Sequence, residues 1–416
     1  MEGTCRHAHT QRLQPDAAWL DAECRRLLDF GRALPHPDGG AAWLDDFGRP
    51  DLTQGVHTWI TARTVHVYAV AQLLGFSGSE AVTDAALAGL TGVLHDAENG
   101  GWFTRVVDAR PTADKKSCYD HVFVVLAGAS ASIAGRPGAD ALLVEALTTL
   151  DAHFWDEAEG LFVDHWNNDW SVLDPYRGVN ANMHGVEAML AASDATGDPQ
   201  WRGRALRIAD RLINQFARQN SWRIPEHFDQ AWHPQLEHNR DRPDDRFEPF
   251  GATIGHGLEW SRLLLHLKAS LGAAAPQWPA EASTALFARA AADGWAPDGE
   301  PGFVYTTDWD GTPVVRDRLH WVVAEGVAAA AVLYRETADE RYAELHRQWW
   351  DYAREFMLDN EYGSWHHQLD PQNRPTDTVW QGKPDLYHAV QATVIPRLPL
   401  APGMVAALAA DGLLSG

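Results

Sequence analysis

His256 and Glu259 stand three residues apart in the stretch RFEPFGATIGHGLEWSRLLLHL, residues 246–267. The same His-Gly-x-Glu form returns at His184 and Glu187, and a third copy at His388 carries Gln391 in the carboxylate's place. On a helix, a spacing of three puts both side chains on one face. An imidazole that titrates near neutral pH, with a carboxylate beside it, is equipped to take up and return protons. One such pair alone is more often a solvated helix end than a catalytic device; the recurrence turns the balance. Metal ligation is the competing chemistry for His and Glu on facing helices. The amide of the third copy argues against it, and neither a metal nor an organic cofactor is expected.

Each pair opens a segment of small and apolar residues at helical spacing. Three further segments share that build: RTVHVYAVAQLLG with Arg63 and His66, YDHVFVVLAGASAS with Tyr119 and His121, and RLHWVVAEGVAAAAVLY with His320, Trp321 and Glu325. The six histidine markers from His66 to His388 recur 55 to 72 residues apart. Between them lie Gly- and aromatic-rich turns at 99–103, 159–162, 220–222, 301–303 and 362–365 that suit short hairpins. Amphipathic segments such as DERYAELHRQWWDYAREFML complete the unit. Two helices and a hairpin-like loop, six times over, predict an all-α fold, an (α/α)6 barrel occupying residues 1–416 as a single domain. The small-residue helices are expected inside and the charged ones outside, so that the polar helix starts converge on one pocket. An open solenoid is the alternative closure. Trp349 and Trp350 read as packing on an outer helix. The polar stretch 221–255, rich in His, Trp and Arg, reads as a long loop over the pocket.

Fifty-seven acidic residues against 34 basic ones give a net charge of −23. That balance fits neither nucleic acid nor an anionic membrane, which need a basic face. No run approaches the length of apolar residues needed to span a bilayer. The start, MEGTCRHAHTQRLQ, has no apolar secretory core. Cys5, Cys24 and Cys118 show no metal spacing and leave an odd thiol, which suits a reducing compartment and a cytoplasmic location. Nineteen Trp and 20 His are high counts. Indole faces at helix starts, such as Trp59 and Trp321, with polar groups around them, are what a carbohydrate pocket requires. The oligomeric state is left open.

The segments NANMHGVEA, RFEPFGATIGHGLEW, RLHWVVAEG and WQGKPDLYHAVQA together resemble the N-acylglucosamine 2-epimerase superfamily over nearly the whole chain. The run from Gly382 to His388 is similar to its aldose–ketose isomerase branch. The resemblance implies an (α/α)6 barrel and a cofactor-independent isomerase acting on a monosaccharide. D-mannose and D-fructose are the expected pair, with D-lyxose as a related sugar. Carried over by position, it makes His256 and His388 the acid/base pair and puts Glu259 in the same pocket, where it is expected to back His256 or to move the O1/O2 proton. It places Arg63, His184 and Arg246 in the pocket, and Tyr119, Trp321, Lys383 and Asp385 as substrate contacts. Sulfoquinovose isomerase and the cellobiose or N-acylglucosamine type of 2-epimerase are the neighbouring alternatives. A glycoside hydrolase on the same barrel would need two catalytic carboxylates, whereas histidines dominate these helix starts. A non-catalytic sugar-binding protein has no use for the histidine pair.

Overall fold

The computed structural model describes Leu13 and residues 15–411; Cys5 lies outside the described residues. In chain order the helices are α1 (Ala17–Phe30), α2 (Thr58–Leu73), α3 (Ser79–Thr91), α4 (Cys118–Ile133), α5 (Ala139–Thr149), α6 (Val179–Thr196) and α7 (Gln200–Ala209). There follow α8 (Ile254–Leu271), α9 (Trp278–Gly294), α10 (His320–Thr337), α11 (Glu340–Tyr352), α12 (Tyr387–Val394) and α13 (Met404–Asp411). Six of them form an inner ring, α2, α4, α6, α8, α10 and α12, each packed against the next, with α12 meeting α2 to close it. The even spacing predicted from the histidine markers is therefore a closed barrel rather than an open solenoid. Each inner helix is backed by an outer one. The odd pairing is α12 with α1, which joins the two ends of the chain. Helix α13 crosses the far end of the ring against α2, α4 and α6.

Inner and outer helices differ as their surroundings require. The stretch from Val322 to Tyr334 in α10 is buried throughout, and its alanines let neighbouring backbones approach. Outer α1 buries only Leu20, Glu23, Cys24, Leu27 and Leu28, a three-and-four pattern typical of one covered face. Trp349 and Trp350 on α11 are fully buried, as packing residues should be. No helix among the described residues is long and apolar enough to cross a membrane.

The aromatic turns form as expected at four of five places. Trp155 and Asp156 pair with Leu161 and Phe162, and bridges join His95 to Trp102, Trp295 to Phe303 and Leu358 to Trp365. The turn at Ser221 and Trp222 is instead made by two successive residues with positive φ. A second set of strands was not expected. The two residues before each of five inner helices pair with the following repeat: Val56–His57 with 105–106, Lys116–Ser117 with 165–166, Arg177–Gly178 with 227–228, Ala252–Thr253 with 306–307, and Arg318–Leu319 with 368–369. The ladder runs one residue into each helix. The first helical N–H of α2, α4, α6, α8 and α10 donates to the carbonyl of Thr104, Asp164, Glu226, Tyr305 and His367 respectively. Those orphan donors are thus satisfied by the next repeat and not by a capping side chain. This stitching fixes how each inner helix enters the pocket.

Candidate active site

With the first N–H anchored, the second residue of an inner helix faces the pocket. Trp59, Tyr119, Asn180, Trp321 and His388 all hold that position and all line one cavity of about 700 Å³. In α8 the second residue is Gly255 and His256 follows it. A Cβ on Gly255 would lie 2.1 Å from the Trp321 ring, so the missing side chain makes room for the indole. One turn deeper, the sixth residues Arg63, His184 and Glu259 form the next layer of the wall. The loop before α8 closes one side with Arg246, Phe247 and Pro249, as expected of a cover. Beside it a wider chamber shares Trp59, Tyr119, Asn180 and Phe247 with the pocket and opens toward Asp120, Asp164 and Tyr176.

The histidines expected to work together do converge here. His388 Nδ1 donates to Glu325 Oε1 at 2.8 Å, and His256 Nδ1 donates to Glu226 Oε2 at 2.9 Å. Each ring therefore presents Nε2, with its lone pair, to the cavity. The Trp321 indole lies between them, its centroid 5.5 Å from His256 and 5.6 Å from His388. Burial lowers the pKa of His388, with the Glu325 hydrogen bond opposing, so the ring rests neutral. His184 is held well below the ordinary histidine value by burial and by the charge of Arg63.

The carboxylates sort themselves around Arg262. Its guanidinium lies 2.9 Å from Glu325, 3.5 Å from Glu259 and 3.8 Å from Glu187. Burial drives Glu259 well above the carboxylate range, with the Glu325 charge adding to it. Against its own burial, Glu325 is pulled low by Arg262 and His388. The two carboxyls are thus driven apart, Glu259 toward the neutral form and Glu325 toward the ionised one. The triads His184–Glu187–Glu259 and Glu259–Glu325–His388 have ligand atoms close enough to share a cation. Arg262 already supplies the positive charge that such a cluster needs.

Two expectations need correction. Glu259 does not back His256; its Oε1 lies 3.6 Å from His184 Nδ1, and Glu226 from the loop takes the place behind His256. A spacing of three kept Glu259 on the pocket face, but His256 turns its Nδ1 toward the loop. Lys383 is no substrate contact. Its Nζ is buried against the Asp359 carboxylate and the Gly363 carbonyl, outside the pocket wall. Lys116 holds Asp96 and the Gly100 carbonyl, and Arg318 holds Asp298 and the Glu300 carbonyl, in the same manner. Lys383 is one of a set of cations that clamp the aromatic turns.

The remaining predicted residues lie in the wall. Arg63 donates to Asp385 at 2.5 Å and to the Tyr119 hydroxyl at 2.8 Å, and its charge holds Asp385 low despite burial. Arg246 donates to the Val379 carbonyl with its guanidinium over the Trp380 ring. Sequence reasoning missed Glu226, Asn180, Tyr305, Trp380 and His367 as wall or support residues, and named His320 only as a helix marker. Only Asn180 carried a usable signal, its place two residues into a marker helix.

The model of the family described as N-acylglucosamine 2-epimerase matches residues 39–392. The chain is similar to a D-mannose isomerase from Thermobifida fusca, 51% identical over 95% of this chain and 97% of the other. It is also similar to one from Pseudomonas cannabina pv. alisalensis, 45% identical over 94% and 95%. Among solved structures, a D-mannose isomerase superposes with a TM-score of 0.85 at 28% identity, covering 91% of this chain and 97% of that one.

Proposed function

The chain belongs to the N-acylglucosamine 2-epimerase family, and from that premise we propose that it is a cofactor-independent aldose–ketose isomerase interconverting D-mannose and D-fructose. The observation that carries the chemistry is the pair of imidazoles, each tied through Nδ1 to a buried glutamate and each turning Nε2 to the same cavity. Moving a carbonyl from C1 to C2 needs the ring opened, the C2 proton removed and a proton returned to C1. His256 takes the O1 proton at Nε2 and delivers it to the ring oxygen as the bond from C1 to that oxygen breaks. Neutral His388 takes the C2 proton, and Glu325 stabilises the imidazolium that forms. The resulting cis-enediol is planar, so the same ring returns the proton at C1. Glu259, with His184 beside it, gives O1 its proton and takes the one from O2. Arg63, positioned by Asp385, and Tyr119 meet the developing oxyanion. Trp321 supplies an apolar face for the sugar between the two bases.

A glycoside hydrolase would need two carboxyls free to act as acid and nucleophile or base; Glu226 and Glu325 are engaged with imidazoles instead. In this reading a single domain, residues 1–416, acts on a monosaccharide in the cytoplasm. The buried free thiols Cys24 and Cys118 suit that compartment.

Incubating the protein with D-mannose in deuterium oxide and following the sugars by NMR tests the reading. Fructose is the expected product. Glucose alone would make the protein a 2-epimerase, and no turnover would leave a binding protein. Because side-chain acids and bases suffice, dialysis against a strong chelator should leave the rate unchanged. A loss restored by a divalent cation would return the glutamate cluster to metal chemistry.

A further inference from the structure

His320 and His367 stand in the pocket wall and take no part in the proton transfers above. Their rings are stacked, with centroids 3.9 Å apart and planes 13° from parallel. His320 is the first residue of α10. His367 directly precedes Gln368 and Leu369, which pair with Arg318 and Leu319. The ladder therefore holds both rings in register. Burial lowers the pKa of His320 to about 3 and that of His367 well below the usual value, so both rings are neutral. His320 Nδ1 faces the His367 carbonyl at 3.3 Å, which requires the hydrogen on Nδ1 and leaves a lone pair on Nε2. The Asp385 backbone engages the His367 ring. The Nε2 atoms of both rings are buried without a hydrogen-bond partner among the described residues.

A bare buried acceptor is costly, and two on stacked rings of a pocket wall call for two donors from a ligand. Adjacent hydroxyls of a sugar are such donors. His320 directly precedes Trp321, whose ring lies 5.6 Å from that of His388, which places the pair beside the group at C2. The nearest vicinal hydroxyls beyond the reacting carbons are those on C3 and C4. We propose that the stacked His320–His367 pair is a specificity element that accepts hydrogen bonds from the C3 and C4 hydroxyls of the sugar and so brings C2 to His388. The proposal rests on the isomerase reading of the pocket.

The test compares the wild type with His320→Phe, His367→Phe and the corresponding Gln variants, which keep an acceptor. Substrates are D-mannose and its 3-deoxy, 4-deoxy and 6-deoxy analogues. On mannose each Phe variant should lose about 10-fold or more in kcat/KM, with Gln recovering part of it. On the 3-deoxy or 4-deoxy sugar the gap between wild type and at least one Phe variant should close. On the 6-deoxy sugar it should stay as wide as on mannose. An equal gap on all four sugars would reduce the pair to a structural stack and overturn the proposal. Where circular dichroism shows that a Phe variant is unfolded, the Gln variant decides, since an unchanged deoxy-sugar profile overturns the proposal equally. A wild type that makes no fructose fails the isomerase reading instead. Calorimetric binding of the same four sugars to the same proteins then reads the pair independently of turnover.

Discussion

A histidine that removes a proton from carbon has to be neutral before the step and stabilised after it. His388 meets both conditions: burial keeps the ring uncharged, and ionised Glu325 waits at Nδ1. His256 is likewise bonded through Nδ1, to Glu226. The two differ in reach, because His388 belongs to the deeper network of Arg262, Glu259 and Glu325, whereas Glu226 comes from the covering loop. His388 is therefore assigned to carbon and His256 to oxygen. His388→Ala should abolish exchange of the C2 hydrogen of mannose with solvent. His256→Ala should lose turnover of the closed sugar yet keep slow exchange from the open-chain fraction. Each loss should fall on the order of 10²–10⁴ in rate; the opposite pattern, read by proton NMR, swaps the roles. The histidines were legible in the sequence because their motif repeats. Glu226 was not, because it lies 30 residues from His256 in irregular chain, and no local spacing connects them. Lys383 was misread for a related reason. Its neighbour Asp385 does reach the pocket wall, and a sequence cannot show that a side chain two positions earlier is turned to clamp a loop.

At the level of the element, the site is a register. The backbone ladder fixes the first residue of five inner helices, and the pocket is then read from their second and sixth positions. The six marker helices and their order were legible from small-residue runs, and the closed ring follows from their number. The strand ladder was not legible. Its pairs are two residues long, and each spans some fifty residues of sequence, far beyond any local periodicity. Where the register is broken, at Gly255, the reason is steric. Alanine is a better helix former than glycine, so Gly255→Ala should leave α8 intact. Its methyl group, 2.1 Å from the Trp321 ring, must displace the indole from between His256 and His388. The expected outcome is an unchanged far-ultraviolet circular dichroism spectrum with kcat/KM reduced about 10-fold or more, as misplacement near reacting groups produces. Full activity would show that Trp321 can move without consequence for the sugar.

The molecule as a whole keeps many imidazoles away from water. His66, His121, His320 and His346 are buried and His266 is partly buried, and burial lowers the pKa values of His66, His121, His266, His320 and His346 from 6.5 to about 4, 3, 4, 3 and 4. Between those values and 6.5 the unfolded chain binds protons that the fold refuses. The stability contributed by these neutral rings is complete above about 6.5 and is lost as pH falls through 4 to 3. Asp120 and Asp164 act in the opposite sense. Burial raises both to about 8 from 3.8, so their contribution is complete below 3.8 and is lost as pH rises through 8. From 6.5 to 4 these two carboxyls partly offset the five rings, and the rings prevail. The urea midpoint, measured at high salt so that the repulsion of a −23 surface is screened, should therefore fall steadily over that range. His346 offers a check remote from the pocket, since its Nδ1 bonds the Val327 carbonyl behind α10. His346→Gln removes one such ring. The slope of unfolding free energy against pH between 6 and 4.5 should then drop by one proton, about 1.4 kcal/mol per pH unit. An unaltered slope in the variant would mean that His346 titrates in the folded state as it does in water, and that acid loosens this barrel by some route other than its buried histidines.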